Sequence, residues 1–312
     1  MEKENIKVSK NLYEIRVSVT GECNYQCIYC GPFQDGKKTF GYDKLSLKQI
    51  KKIANFIKPY RLHVQLTGGE PSLRRDLDKI IKIFVTLGIS DIGISTNGSC
   101  LDRKYINKIV KAGVKNIHFH IPSLNQRIYQ KTMKCTKRVK NIIQTALFAS
   151  KYIKVKFNTP VTPLNFNYIE NLLNFVYKNK IDIRLIEEVT ISSNRITKKQ
   201  IEERLLKWLR KNKINFKKRK TKPNEYGIIY TTKNMEIKIT PMTPYLVSRL
   251  KGKETPLLYD GRFWVGANKD LYVFAPTLFI EPRKGTFKDF VTCFKKTYKI
   301  YQNYKRGYKN VK

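Results

Sequence analysis

Arg61-Leu62-His63-Val64-Gln65-Leu66-Thr67-Gly68-Gly69-Glu70-Pro71 alternates polar and apolar side chains and then breaks in a Gly-Gly-Glu-Pro turn. That alternation predicts a two-faced strand, with Val64 and Leu66 on one side and His63, Gln65 and Thr67 on the other. Helical stripes flank it. Leu47, Ile50, Ile53, Phe56 and Ile57 repeat at helical spacing behind the N-cap candidate Ser46, and residues 76–88 form another such stretch. The same unit recurs along the chain. Strands are predicted at 13–20, 61–67, 91–95, 116–121, 154–158 and 182–186, with helices at 45–60, 76–88, 102–112, 139–151 and 168–180. Short connections between alternating strands and helices imply parallel pairing through crossover helices. The expected fold is α/β, a partial (β/α)6 TIM-like barrel over residues 1–195. Residues 196–312 form a smaller C-terminal α+β region, with a helix at 201–209, strands at 226–230 and 235–239, and a hairpin-like stretch at 262–265 and 271–274. It is expected to pack on the barrel as a lid or wall.

In such a barrel the loops at the C-terminal strand ends carry the chemistry. One of them is Cys23-Asn24-Tyr25-Gln26-Cys27-Ile28-Tyr29-Cys30, three thiols spaced C-x3-C-x2-C just after the first strand. Gly68-Gly69-Glu70, Thr96-Asn97-Gly98, Pro122-Ser123 and Asn158-Thr159 fall at the same end. Iron–sulfur clusters take thiolates at such spacings, normally four. Three would leave one iron open, and open positions mark reactive metal sites. Tetrahedral zinc is the other occupant this spacing admits, and it would need a fourth ligand; the nearest histidine is His63. Alternation on the fourth strand sends Ile117, Phe119 and Ile121 to the helices and turns His118 and His120 inward, so all three histidines take inward positions. The isolated Cys100, Cys135 and Cys293 read as small buried hydrophobes.

The chain has 63 Lys and Arg against 24 Asp and Glu, a formal net charge of +39. Such a field favours anionic partners, nucleic acid among them. The charge is spread along the sequence, with Lys217-Lys218-Arg219-Lys220 the one dense patch, and a Lys-, Ile-, Asn- and Tyr-rich composition yields the same total without any binding role. No apolar run approaches the ~20 residues that span a bilayer. The segment Met1–Lys7 is charged and lacks the apolar core of a secretory signal. Three crowded thiols in a chain this long do not read as a disulfide framework, which fits a reducing cytoplasm.

The combination of C-x3-C-x-Tyr-C after one strand and Gly68-Gly69-Glu70-Pro71 after the next resembles the radical S-adenosylmethionine (SAM) superfamily. Within it the chain looks most like the MoaA (GTP 3′,8-cyclase) family. Arg16-Val17-Ser18-Val19-Thr20, Leu66-Thr67-Gly68-Gly69-Glu70-Pro71-Ser72-Leu73-Arg74-Arg75-Asp76-Leu77 and Arg184-Leu185-Ile186-Glu187 follow its pattern, over about residues 12–290. The resemblance implies a barrel of the radical SAM type with a 4Fe-4S cluster on Cys23, Cys27 and Cys30. SAM would chelate the open iron, and its reductive cleavage would yield a 5′-deoxyadenosyl radical that abstracts hydrogen from substrate. It places Tyr29 by the adenine and Gly68, Gly69 and Glu70 at the methionine amino group. Thr96 and Asn158 fall at the ribose or carboxylate, and His120, standing where the family has serine, joins the SAM contacts.

The departures concern the substrate. The family's second cluster sits on a C-terminal C-x2-C-x13-C whose positions here are Leu257, Asp260 and Phe274, so a single cluster is expected. Of a paired arginine motif Arg262 remains and Trp264 replaces the other. His63 and Gln65 occupy the positions that grip triphosphate, Pro122 replaces an aspartate, and a Gly-Gly tail is replaced by Val311-Lys312. The expected substrate is therefore a small anionic or nucleoside-like molecule other than GTP. Arg16, His63, Gln65, His118, Arg184, Arg262 and Trp264 are its candidate contacts. A ribosomally made peptide is the second reading, and an RNA-binding protein with a structural metal the third. The basic surface further suggests an acidic electron donor such as flavodoxin.

Overall fold

The computed structural model describes residues 14–30, 44–60, 63–188, 194–220, 227–241, 262–265 and 271–274. Six strands, β1 (Glu14–Thr20), β2 (His63–Gly68), β3 (Ile92–Thr96), β4 (Asn116–His120), β5 (Lys154–Val161) and β6 (Asp182–Glu187), lie side by side in chain order. All five pairings between them are parallel. The crossovers carry α1 (Leu47–Ile57), α2 (Leu77–Thr86), α3 (Arg103–Ala112), α4 (Gln126–Met133), α5 (Val139–Ala149) and α6 (Ile169–Lys178). Each strand turns one row of side chains to these helices. Ile15, Val17, Val19, Val64, Leu66, Ile92, Ile94, Ile117, Phe119, Phe157, Ile183 and Leu185 are at most 1% exposed. Their alternates, among them Arg16, Ser18, Gln65, Ser95, His118, Lys156, Asn158 and Arg184, form the polar inner face.

Local chemistry sets the element ends. Ser46 accepts the Gln49 N–H at 3.2 Å while its own N–H donates to Gln49 Oε1 at 2.8 Å, a capping box worth about 1 kcal/mol. Thr197 and Gln200 repeat the device at the start of α7 (Lys198–Lys211). The sequence reading did not anticipate α4. It is eight residues long, and its buried stripe is only Tyr129, Thr132 and Met133. A stripe of one turn is too brief to stand out as periodicity.

Among the described residues the strands of the C-terminal region continue the same sheet. On one side β7 (Phe216–Lys220), β8 (Ile228–Thr232) and β9 (Glu236–Thr240) form a meander, and β9 pairs in parallel with β6. On the other, β10 (Arg262–Val265) pairs in parallel with β1 and antiparallel with β11 (Leu271–Phe274). A partial barrel leaves β1 and β6 with unpaired backbone edges, and strand addition satisfies both. The dense basic patch is β7 itself, the outermost strand, where Lys and Arg side chains discourage further pairing. Among the described residues no helix is long and apolar enough to cross a membrane.

Candidate active site

The thiol loop leaves the C-terminal end of β1 and is fixed on three sides. Towards β2, the Gly69 N–H donates to Thr20 O and the Glu70 N–H to Glu22 O, both at 2.7 Å. This contact explains the Gly-Gly pair: Gly68 sits at φ +137°, and a Cβ on Gly69 would run into the Glu22 carbonyl. Towards β3, Asn24 accepts from Asn97 Nδ2 at 3.0 Å and donates to Ser99 Oγ at 2.8 Å. Towards α4, the Ile28 N–H donates to Thr132 O at 3.0 Å, Cys27 Sγ lies 3.6 Å from Met133 Sδ, and Tyr29 Oη donates to Met133 Sδ at 3.0 Å.

Glu70 locks the next turn. It is 2% exposed. One carboxylate oxygen accepts from the Ser72 N–H at 2.9 Å and Thr96 Oγ1 at 2.5 Å, and the other from the Asn97 N–H at 2.6 Å. Burial pushes its carboxyl pKa up, and these hydrogen bonds oppose that rise. Glu70 thus joins the ends of β2 and β3, with lone-pair capacity left for a further donor. Behind the turn, buried Arg74 forms a fork with Asp76 at 2.9 and 2.7 Å and donates to Val19 O at 2.9 Å and to Leu45 O. That fork holds the Asp76 carboxyl below its ordinary pKa.

The donor set fits a cluster. Cys23, Cys27 and Cys30 are free thiols on one loop. Burial first, then their mutual proximity, pushes Cys27 well up and Cys30 to about 12, and burial pushes Cys23 to about 11. Among the described residues no three Cys, His, Asp or Glu side chains converge tightly enough to hold a single metal ion. Ligands of a four-iron cluster sit on separate irons and stand further apart. At the mouth, Asn158 is 3% exposed and its Oδ1 has no hydrogen-bond partner among the described residues. A buried acceptor of this kind suits a bound polar ligand.

His120 and Arg184 flank Asn158 on the neighbouring strands. Burial, then the cations Arg16 and Arg184, holds His120 down at about 4, so its imidazole is neutral near pH 7. Arg16, His120 and Arg184 are therefore brought together, with His118 one step deeper on β4. Gln65 lies opposite Arg16 in register, whereas His63 stands apart from this group. His63 begins β2, at the end remote from the thiols, with Nδ1 2.9 Å from Asp91 and Nε2 2.8 Å from Gln65 Oε1. Gln65 in turn donates to Ser95 Oγ at 2.9 Å. Arg262 and Trp264 lie on β10 opposite Glu14 and Arg16. Leu257 and Asp260 fall outside the described residues, and Phe274 ends β11.

Sequence reasoning missed several contributors. Lys156 shares its strand face with Asn158, and alternation alone could have named it. Lys238 lies opposite Arg184 on β9, a pairing that no local pattern encodes. Met133, Asn97 and Ser99 are partners of the thiol loop that only the tertiary structure reveals.

Comparison with known proteins adds to this geometry. The sequence profile described as Radical SAM superfamily matches residues 17–176. GTP 3′,8-cyclase of Staphylococcus aureus (strain bovine RF122 / ET3-1) is 30% identical over 200 residues, or 60% of this chain and 57% of that protein. The chain thus matches little more than half the length of this curated relative. Streptococcus suis SuiB superposes with a TM-score of 0.64 at 14% identity, covering 89% of this chain and 64% of that one. Its complex with the precursor peptide SuiA matches at the same TM-score. Native anSMEcpe with bound AdoMet gives 0.58 at 13% identity, covering 89% and 78%. These structural likenesses are likenesses of fold.

Proposed function

Because the chain belongs to the radical SAM superfamily, we propose that its barrel holds one 4Fe-4S cluster on Cys23, Cys27 and Cys30, with SAM beside it. We further propose that it acts on a small anionic substrate other than GTP. The observation that carries the first part is the hydrogen-bonded unit of thiol loop, Gly68-Gly69-Glu70 turn and β3 end. When bound, the cluster and SAM supply a reducing electron and a carbon-centred radical able to abstract hydrogen. The chain's own residues do the rest. Glu70, backed by Thr96 and Asn97, presents a carboxylate to an amino group. Asn158 offers its open Oδ1 to a hydroxyl or amine. Tyr29, held by Met133, lines the loop for a flat ring.

The substrate class rests on the inner face. Arg16, Lys156, Arg184 and Lys238 put four cationic side chains on the polar side of the sheet, and Arg184 and Lys238 are only 9% exposed. Burial, then Arg184, pulls the Lys156 pKa down, while Asp182 and Glu236 oppose that fall. Guanidinium forks suit phosphate or carboxylate. Neutral His120 adds a polar contact without adding charge.

Two experiments test this reading. Anaerobically reconstituted, reduced protein should form 5′-deoxyadenosine from SAM, whereas colourless protein retaining zinc would contradict it. Pyrophosphate titrated into the reconstituted enzyme should bind, and Arg184→Ala should weaken binding about tenfold or more, as losing a buried charged contact does. Unchanged affinity would remove the anionic substrate.

A further inference from the structure

The third side of the thiol loop has an outer face. Residues 126–140, comprising α4 and the connection to α5, contain Arg127, Lys131, Lys134, Lys137, Arg138 and Lys140 and no Asp or Glu. All six cations are exposed. Among the described residues no carboxylate pairs with any of them, whereas on β7 Lys218 and Arg219 lie 2.8 and 3.8 Å from Glu202 and Glu236. The connection is built to a shape. Gln126 Nε2 donates to Lys137 O at 3.0 Å, its Oε1 accepts the Val139 N–H at 2.9 Å, and Gln130 Nε2 donates to Thr136 O at 3.2 Å. Lys134 closes α4 in the left-handed region at φ 45°. The inner side of this segment is what touches the loop: Thr132 O takes the Ile28 N–H, and Met133 meets Cys27 and Tyr29. Exposed Lys131 and Lys134 therefore bracket, in sequence, two residues that touch the thiol loop, one of them in contact with Cys27.

We propose that the 126–140 face is the docking surface for a small acidic electron-carrier protein that delivers electrons to the metal centre behind it. The proposal rests on the cluster reading above. The step is one electron leaving the reduced carrier, which is oxidised by one electron, and entering the cluster, which is reduced by one. Electron transfer falls off steeply with distance, so a face whose inner side touches the thiol loop is a productive one. A fixed, unmatched array of cations steers an acidic partner there. Nucleic acid is the other macromolecule such charge attracts, but proximity to Cys27 gives it no advantage.

The test uses the reconstituted full chain with reduced flavodoxin as the probe carrier, following cluster reduction by stopped-flow absorbance. Lys131→Glu/Lys134→Glu/Lys137→Glu should slow reduction by flavodoxin about tenfold or more at low ionic strength and flatten its salt dependence. Reduction by dithionite should stay as in the wild type. The equally charge-reversed Lys207→Glu/Arg210→Glu/Lys211→Glu, on α7, should retain most of the flavodoxin rate. Wild-type rates in the first variant, equal losses in both, or lost binding of a single-stranded RNA oligonucleotide at an unchanged flavodoxin rate would each overturn the proposal. A wild-type chain that takes up no cluster would overturn the cluster reading itself. A chain that takes it up but ignores these substitutions would overturn only the docking.

Discussion

Burial shapes the chemistry of single residues around the thiols. With Cys23 pushed up to about 11 and Cys30 to about 12, the metal-free loop is protonated at pH 7, and metal uptake must release protons. A raised thiol pKa leaves little thiolate below it. Iodoacetamide labelling of Cys23, Cys27 and Cys30 in the metal-free chain should therefore accelerate about tenfold per pH unit from pH 7 to 9. A rate already level by pH 8, read by peptide mass spectrometry, would contradict the burial described. Gly69 makes a second case. Its missing Cβ lets the β2 turn hydrogen-bond to the thiol loop, so Gly69→Ala should destabilise the fold by about 1–3 kcal/mol in urea titrations and loosen the cluster. Gly88, with open space around it but φ +84°, should cost only about 1 kcal/mol on the same change. None of these contacts was legible in the sequence beyond the residue types, because they join positions up to about a hundred residues apart.

Among the elements, α4 shows where local pattern runs out. Its Asn125 cap and αL end are ordinary helix signals, yet eight residues with one buried turn do not announce themselves. Its tertiary role is larger than its length, since Thr132 and Met133 brace the thiol loop. Asn125 Oδ1 accepts the Ile128 N–H at 3.0 Å. Asn125→Ala should cost about 1 kcal/mol of stability, and iron should leave the reconstituted protein faster on chelator challenge. Stability loss with unaltered iron release would show that α4 does not brace the loop. By contrast, α1 was read to within two residues at its start because Ser46 and a full apolar stripe agree.

At the scale of the whole molecule, the six βα units were legible because each strand alternates and each helix carries its own stripe. The inward positions of His118 and His120 followed from the same parity. Which strands complete the sheet was not legible: β9 beside β6 and β10 beside β1 are long-range pairings chosen by open edges rather than by local sequence. Lys238 reaches the inner face through one of them. In the proposed function the thiol loop after β1 would form the radical, and Arg16, Lys156, Arg184 and Lys238 would bind the substrate. The most direct test of the single-cluster reading is the iron and sulfide content of the anaerobically reconstituted chain, beside Cys23→Ala/Cys27→Ala/Cys30→Ala. The account predicts about four of each per chain, an electron paramagnetic resonance signal altered by SAM, and neither in the triple variant. About eight iron atoms, or iron retained without the three thiols, would contradict it.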